Sequence, residues 1–360
     1  MADLRIFAGQ RALRRIREHG IRAGDFQWLA GASGGPKWFV LYGLDRYLAG
    51  QFFAGRTEPL RLIGSSAGAW RMACHAHHEP VAALERLAAL YSTQVYSARP
   101  DRAEVSGEAL RMLDGMLGPE GARSIANNPV FRAYILANRM RGLLRSERRA
   151  PLQCGLLGAA LLNVAGRRHL RSVFERWVFI NAQEAESALA FDDLATTFVG
   201  LTENNVRQAL MASGSIPLVM EAVSNVEGAD GAVFRDGGML DYHLHLPFHG
   251  SDGLVLYPHF YSGIVAGWFD RFAPWRKTRP DWFDNVVVVA PSREFVAQLP
   301  YGKIPDRQDF VRLDAEARIR YWQQVLAASE RLADAFDKIV KLPGPRVPVE
   351  PWVPRRAVHV

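Results

Sequence analysis

Cysteine is almost absent from this chain, with only Cys74 and Cys154 among 360 residues. Two thiols can neither build a disulfide framework nor supply four thiolates to zinc, so a secreted disulfide scaffold and a zinc ribbon are excluded and a reducing compartment is expected. Lysine is scarce too. Only five of the 44 basic residues are lysines (Lys37, Lys277, Lys303, Lys338 and Lys341), which leaves 39 arginines against 37 acids and a formal net charge of +7. Long apolar runs are also missing. The stretches Ala150 to Gly166 and Gly253 to Phe269 carry no acid or base but fall short of the ~20 residues that cross a bilayer, and Pro258 and His259 interrupt the second. The first residues, MADLRIFAGQRALRRIREHG, lack the apolar segment of a secretory leader. A hydrophobic share of 49% with 22% charged residues is that of a folded globular chain and argues against disorder. The expectation is a cytoplasmic protein whose arginine-rich surface suits anions. Nucleic acid is not an expected partner, because the basic residues are dispersed and form no recognised binding motif.

What is there reads first as alternation. Strand patterns at Phe26 to Ala30 and Leu60 to Ile63 are each followed by a glycine turn and a helical pattern, Trp38 to Leu48 and Ala67 to His75. Such alternation implies a mainly parallel sheet covered by helices. Residues 79–170 are mostly helical and arginine-rich, with one strand pattern at Phe131 to Ala137, and read as a helical insertion or cap. Strand patterns return at Val178 to Asn181, Thr197 to Leu201, Val233 to Arg235, Leu254 to Tyr257 and Val286 to Ala290. A long helical pattern from Asp314 to Leu342 follows. One α/β domain over residues 1–342 is expected, then a proline-rich tail over 343–360 in an extended conformation.

Three segments carry chemistry. In LRLIGSSAGAW, Gly64, Ser66 and Gly68 form G-x-S-x-G between a strand and a helix, the context in which a sharp turn exposes a serine nucleophile at a helix N-terminus. Upstream, Gly31-Ala32-Ser33-Gly34-Gly35-Pro36-Lys37 has the same setting, and its backbone N–H groups are candidates for an oxyanion hole, since glycines permit close approach to a developing alkoxide. Downstream, Asp236 precedes Gly237 and Gly238 at the end of a short strand and is the candidate base. A carboxylate serves a serine hydroxyl only when it is oriented and partly desolvated within hydrogen-bond reach.

Together these segments resemble the patatin-like phospholipase family, whose members carry a glycine-rich oxyanion loop, a G-x-S-x-G nucleophile and an Asp-Gly-Gly or Asp-Gly-Ala base in this order. The stretch Ala209-Leu210-Met211-Ala212-Ser213-Gly214-Ser215-Ile216-Pro217 is similar to the family's small-residue segment before the base, so the resemblance spans roughly Phe26 to Pro247. It implies a three-layer α/β/α sandwich with a mainly parallel central sheet. It also implies carboxylic ester hydrolysis of a phospholipase A or lysophospholipase kind by a Ser66–Asp236 dyad through an acyl-enzyme, with no metal and no cofactor. Two departures stand out. The family's loop usually closes Gly-x-Arg/Lys-Gly, whereas here Lys37 is followed by Trp38, and Pro36 has no N–H to donate. The expected oxyanion donors are therefore Gly34, Gly35 and Ala67. The arginine-rich middle matches no feature of the family, which leaves the acyl substrate open.

The apolar segment Leu152 to Val164 lies between Arg139, Arg141, Arg145, Arg148 and Arg149 on one side and Arg167, Arg168 and Arg171 on the other. It reads either as a buried core helix with a basic rim or as an interfacial helix against an anionic membrane, which would make the protein peripheral there. The aromatic and basic residues of Tyr257 to Lys277 pose the same choice. His75, His77 and His78 lack zinc spacing. Two rival readings stay open: an α/β-hydrolase triad of Ser66, Asp236 and one of His243, His245, His249 or His259, and a non-catalytic lipid-binding protein on the same fold. Asp241 is either an orienting group for the Asp236 loop or a turn residue.

Overall fold

A computed structural model describes residues 3–354 except 185–188, 190, 192, 252 and 274. The last six residues of the proline-rich tail thus lie outside the described residues. Eleven strands form one sheet: β1 (Leu4–Ala8), β2 (Phe26–Gly31), β3 (Leu60–Ser65), β4 (Phe131–Met140), β5 (Phe174–Ile180), β6 (Thr196–Gly200), β7 (Val223–Ser224), β8 (Val233–Asp236), β9 (Leu254–Pro258), β10 (Val286–Pro291) and β11 (Val349–Pro351). Their order is β11-β1-β10-β9-β2-β3-β4-β5-β6, with β8 against β4 and β7 against β8. The run from β10 to β4 is wholly parallel. Antiparallel pairs are confined to β1–β10, β4–β5, β4–β8 and β7–β8. The fold is α/β, a three-layer α/β/α arrangement around a mostly parallel sheet. Strands buried on both faces need continuous apolar sequence, and VVVVA in β10 and LVLY in β9 are buried throughout.

Within residues 79–170, expected to be a helical insertion, β4 is an inner strand of the central sheet. The helices Pro80–Ser92, Arg102–Leu117 and Gly121–Asn127 precede it and Arg149–Ala165 follows it. The long pattern from Asp314 is two helices, Ala315–Ala328 and Glu330–Val340, divided at Ser329. The Ser329 hydroxyl donates to the Leu326 carbonyl at 2.6 Å and accepts the Gly43 N–H at 2.8 Å, which holds the junction against the helix Tyr42–Tyr47. Three strands escape the sequence pattern. β1 and the two-residue β7 are short, and β11 lies in the proline-rich tail, where Val349 to Pro351 run parallel to Ile6 to Ala8. Among the described residues no helix is long and apolar enough to cross a membrane.

Candidate active site

Strand register brings the serine and the aspartate together. One edge of β4 pairs with β5, while its other edge is shared: β3 covers it from Phe131 to Leu136, and β8 covers it from Ala137 to Arg139 in the opposite direction. The chain therefore leaves β3 at Ser65, opposite Leu136, and leaves β8 at Asp236, opposite Ala137. Two strand ends meet head-on at the C-terminal end of β3, the place where open α/β sheets bind ligands.

Ser66 follows β3 at φ 53° and ψ −132°, a conformation that non-glycine residues adopt only when the surroundings enforce it. Its N–H donates to the Ser213 hydroxyl at 2.9 Å, and that hydroxyl donates in turn to the Leu136 carbonyl at 2.6 Å. The helix Ala67–Ala76 then packs so tightly on β2 that a Cβ on Gly68 would lie 1.9 Å from the Gly31 carbonyl oxygen. Only glycine fits there, which explains the last glycine of the G-x-S-x-G pattern. With the turn so held, the Ser66 hydroxyl donates to Asp236 Oδ2 at 2.7 Å.

Asp236 is equally fixed. Its second oxygen, Oδ1, accepts the Gly238 N–H at 2.7 Å, and its own N–H donates to the Ser215 carbonyl at 2.8 Å. Asn138 on β4 donates to the carbonyls of Asp236 and Gly237 at 2.7 and 3.0 Å. A Cβ on Gly237 would come within 2.2 Å of the Leu136 carbonyl, so the turn after Asp236 tolerates no side chain. Burial raises the Asp236 pKa above its ordinary value, opposed by the positive charge of Arg307 and the hydrogen bonds from Ser66 and Gly238. A raised pKa makes the carboxylate a stronger base, which a serine hydroxyl needs.

The oxyanion candidates stand at two helix starts. Gly35 opens the 3-10 helix Gly35–Leu41 at φ 56°, and Ala67 opens the helix Ala67–Ala76 that follows Ser66. The N–H groups of Gly34, Gly35 and Ala67 have no acceptor among the described residues, as is usual at helix starts, so they are free to bond an incoming oxygen. The Ser66 N–H is already taken by Ser213. Access is restricted, since Ser66 is 2% and Asp236 6% exposed. A cleft of about 900 Å³ opens elsewhere, between Arg167, Asp193 and His245 and the segment Arg271 to Arg279, and its lining includes neither dyad residue.

None of the four triad histidines is bonded to Ser66 or Asp236. His243 accepts the Val265 N–H at Nδ1, His259 accepts the Tyr261 N–H at Nδ1, and His245 accepts the Arg279 N–H at Nε2. Burial lowers all three pKa values, to about 4 for His245 and about 3 for His259, so they are neutral at pH 7. His249 is exposed. Asp241 is more than a turn residue: its carboxylate is gripped by Arg176 at 2.7 and 2.8 Å, and its carbonyl accepts the Ser65 hydroxyl at 2.6 Å, so the loop after Asp236 is tied to the end of β3. His77, His78 and Glu79 bring possible ligand atoms within 4.8 Å of one another. The His77 ring is already occupied, with Nδ1 accepting the Glu79 N–H at 2.9 Å and Nε2 lying 3.0 Å from the Leu117 carbonyl, so this cluster has no free imidazole to offer from that residue.

Ser213, Asn138 and Arg176 support the site without having been singled out by sequence reasoning. Ser213 lies in the small-residue segment ASGSIP, the one signal available beforehand; Asn138 and Arg176 act through strand register and give none. Tyr91 and Arg307 were missed as well: a Cβ on Gly35 would meet Arg307 Nε at 3.0 Å and the Tyr91 hydroxyl at 3.3 Å. No family model matches this chain, and no curated protein matches it.

Proposed function

We propose that this chain is a serine acyl hydrolase of patatin-like type acting on lipid carboxylic esters. The observation that carries the reading is the 2.7 Å bond from a serine in a nucleophile-elbow conformation to a buried aspartate, beside three unused backbone donors. Ser66 Oγ attacks the ester carbonyl while its proton passes to Asp236 Oδ2, and the resulting oxyanion is held by the N–H groups of Gly34, Gly35 and Ala67. Collapse breaks the acyl C–O bond, and the alcohol leaves with the proton from Asp236. Water then gives a proton to Asp236 and attacks the acyl-enzyme, and Ser66 departs reprotonated. The two-residue reading is favoured over a triad because Ser66 bonds Asp236 directly and none of the candidate histidines is bonded to either. It is favoured over a lipid-binding role because the nucleophile, base and donors are all intact.

The lipid part of the proposal rests on the surface. The helix Arg149–Ala165 buries Leu152, Ala159 and Asn163 and turns Leu157 and Leu161 outward, 64% and 63% exposed. Asn163 donates to Asp270 at 2.9 Å, so the neighbouring segment with exposed Phe272 and Trp275 adjoins this helix. Arg145, Arg148, Arg149, Arg168 and Arg171 flank the helix, and none of them has a carboxylate partner among the described residues. An apolar face with unpaired basic flanks complements an anionic bilayer.

The test is intact-protein mass after reaction with a fluorophosphonate. A single adduct on the wild type, absent from Ser66→Ala, is expected. A folded wild-type protein that takes no label overturns the hydrolase reading.

A further inference from the structure

Serines crowd the end of the sheet where Ser66 meets Asp236, and most of their hydroxyls are committed. Ser66 donates to Asp236 Oδ2, Ser65 to the Asp241 carbonyl, Ser213 to the Leu136 carbonyl and Ser215 to the Glu221 carbonyl. Ser33 is the exception. Its side chain is buried, with the residue 3% exposed, yet its hydroxyl has no hydrogen-bond partner among the described residues. Nor is that hydroxyl sealed in the core, as the Tyr257 hydroxyl is. A polar group with so little exposure and no internal partner needs an explanation, and a catalytic role is one that the surroundings support.

Strand register puts this hydroxyl beside the dyad. β2 and β3 run parallel with Gly31 opposite Gly64, so Ser33 and Ser66 each stand two residues beyond matched positions on adjacent strands. The Ser33 N–H donates to the Tyr242 carbonyl at 2.9 Å, which ties the loop after β2 to the segment that follows Asp236. Gly238 shows how close the two side chains come. A Cβ there would lie 2.4 Å from Ser33 Oγ and 2.9 Å from Asp236 Oδ1, so both oxygens border one small space that only glycine at this position leaves open. The Gly238 N–H, donating to Oδ1, fixes the rotation of the carboxylate on that side.

The first half of the proposed reaction has no use for another hydroxyl, because the Ser66 proton already lies on the bond to Asp236. The second half differs. Once Ser66 Oγ is esterified it no longer donates to Asp236, and a water must give one proton to that carboxylate while aiming a lone pair at the acyl carbon. A water held by one hydrogen bond swings about it, whereas a second bond to a fixed hydroxyl sets its direction.

We propose that Ser33 Oγ accepts the second O–H of the hydrolytic water, so that Asp236 and Ser33 together aim that water at the acyl-enzyme. The proposal rests on the hydrolase reading and assigns a residue to its second step. The water oxygen forms the new C–O bond as its proton passes to Asp236. Collapse then breaks the bond between the carbonyl carbon and Ser66 Oγ, which recovers the proton from Asp236, and the free carboxylic acid departs. Ser33 gives up no proton and ends unchanged.

The test uses an activated ester, nitrophenyl butanoate, whose fast first step leaves hydrolysis of the acyl-enzyme to limit kcat while kcat/KM reports acylation. Wild type and Ser33→Ala are compared by steady-state assay, by stopped flow and by the mass of acid-quenched enzyme. Ser33→Ala should lower kcat by about 10- to 100-fold and KM in parallel, with kcat/KM within about twofold of the wild type. It should also release a burst of nitrophenolate and carry the acyl group in the quench. An unchanged kcat, or a fall in kcat/KM as large as that in kcat, overturns the proposal. A Ser33→Ala protein that no longer takes fluorophosphonate overturns it too, since Ser33 then supports the acylation site itself. Labelling of the wild type separates the two failures: a labelled enzyme whose turnover ignores Ser33→Ala keeps the hydrolase and loses only the role of Ser33, whereas an unlabelled one loses both.

Discussion

Burial sets the terms on which Asp236 works. A carboxylate whose pKa is raised in the folded state contributes stability at low pH, where it is protonated, and that contribution is lost as pH rises through the folded value. The ionised form is therefore the costly one, and on the proposed mechanism it is also the reactive one. Asp236→Asn removes the charge at nearly constant shape, so at pH 7 to 8 its thermal midpoint should equal or exceed that of the wild type, with the difference shrinking toward pH 4. Its kcat should fall by roughly 10²–10⁴. Scanning calorimetry across that pH range, run beside an esterase assay, checks both; a variant less stable than the wild type at pH 8 would show that burial of the charge is not what strains the site. The kcat/KM of the wild type should rise with pH through an inflection above the ordinary carboxylate range. Such an opposition of stability and activity is expected wherever a catalytic charge is held away from water.

Among the elements, the helix Arg149–Ala165 supplies its own reporter. Cys154, Leu157 and Leu161 lie on one face at helical spacing, and Cys154 is exposed, while Cys74 is buried with its thiol pushed up by burial. An environment-sensitive maleimide should consequently attach at Cys154 alone. On vesicles containing phosphatidylglycerol its emission should shift to the blue, the shift should weaken as salt rises, and Leu157→Asp with Leu161→Asp should abolish it. Vesicles of neutral phosphatidylcholine should give a smaller response. Emission unchanged on anionic vesicles would remove the membrane from the proposed function, and a shift that tracks protein concentration without vesicles would assign the face to a second copy of the chain.

For the whole molecule, the sheet is closed at one edge by the two ends of the described chain. β11 pairs with β1, Arg5 bonds Glu350, the Trp352 N–H donates to the Ala8 carbonyl at 2.7 Å, and the Trp352 ring stacks on Phe283 at 4.7 Å. Trp352→Ala leaves a cavity against Phe283 and should cost about 3 kcal/mol. The measurement is a denaturant melt. A midpoint equal to that of the wild type would mean that the tail is not part of the cooperative unit. This edge was not legible in the sequence. Prolines in VPVEPWVP argue against a sheet interior, and only an edge position, where one side of the strand needs no partner, makes such a strand possible.

Local sequence determined the turn at Ser66, the strands β2, β3, β9 and β10, and the identity of the serine and the aspartate, because each is written in neighbouring residues: a strand pattern, small residues at the turn, then a helix. The meeting of Ser66 with Asp236 was decided elsewhere. It depends on β3 and β8 dividing one edge of β4, a register between segments far apart in the chain that no local pattern encodes. The same holds for Arg307 beside Gly35 and for Arg176 on Asp241, where single charged residues in unremarkable stretches acquire partners only when the sheet assembles. Short-range sterics and hydrophobic period speak along the chain, whereas long-range charge and burial exist only in the folded molecule.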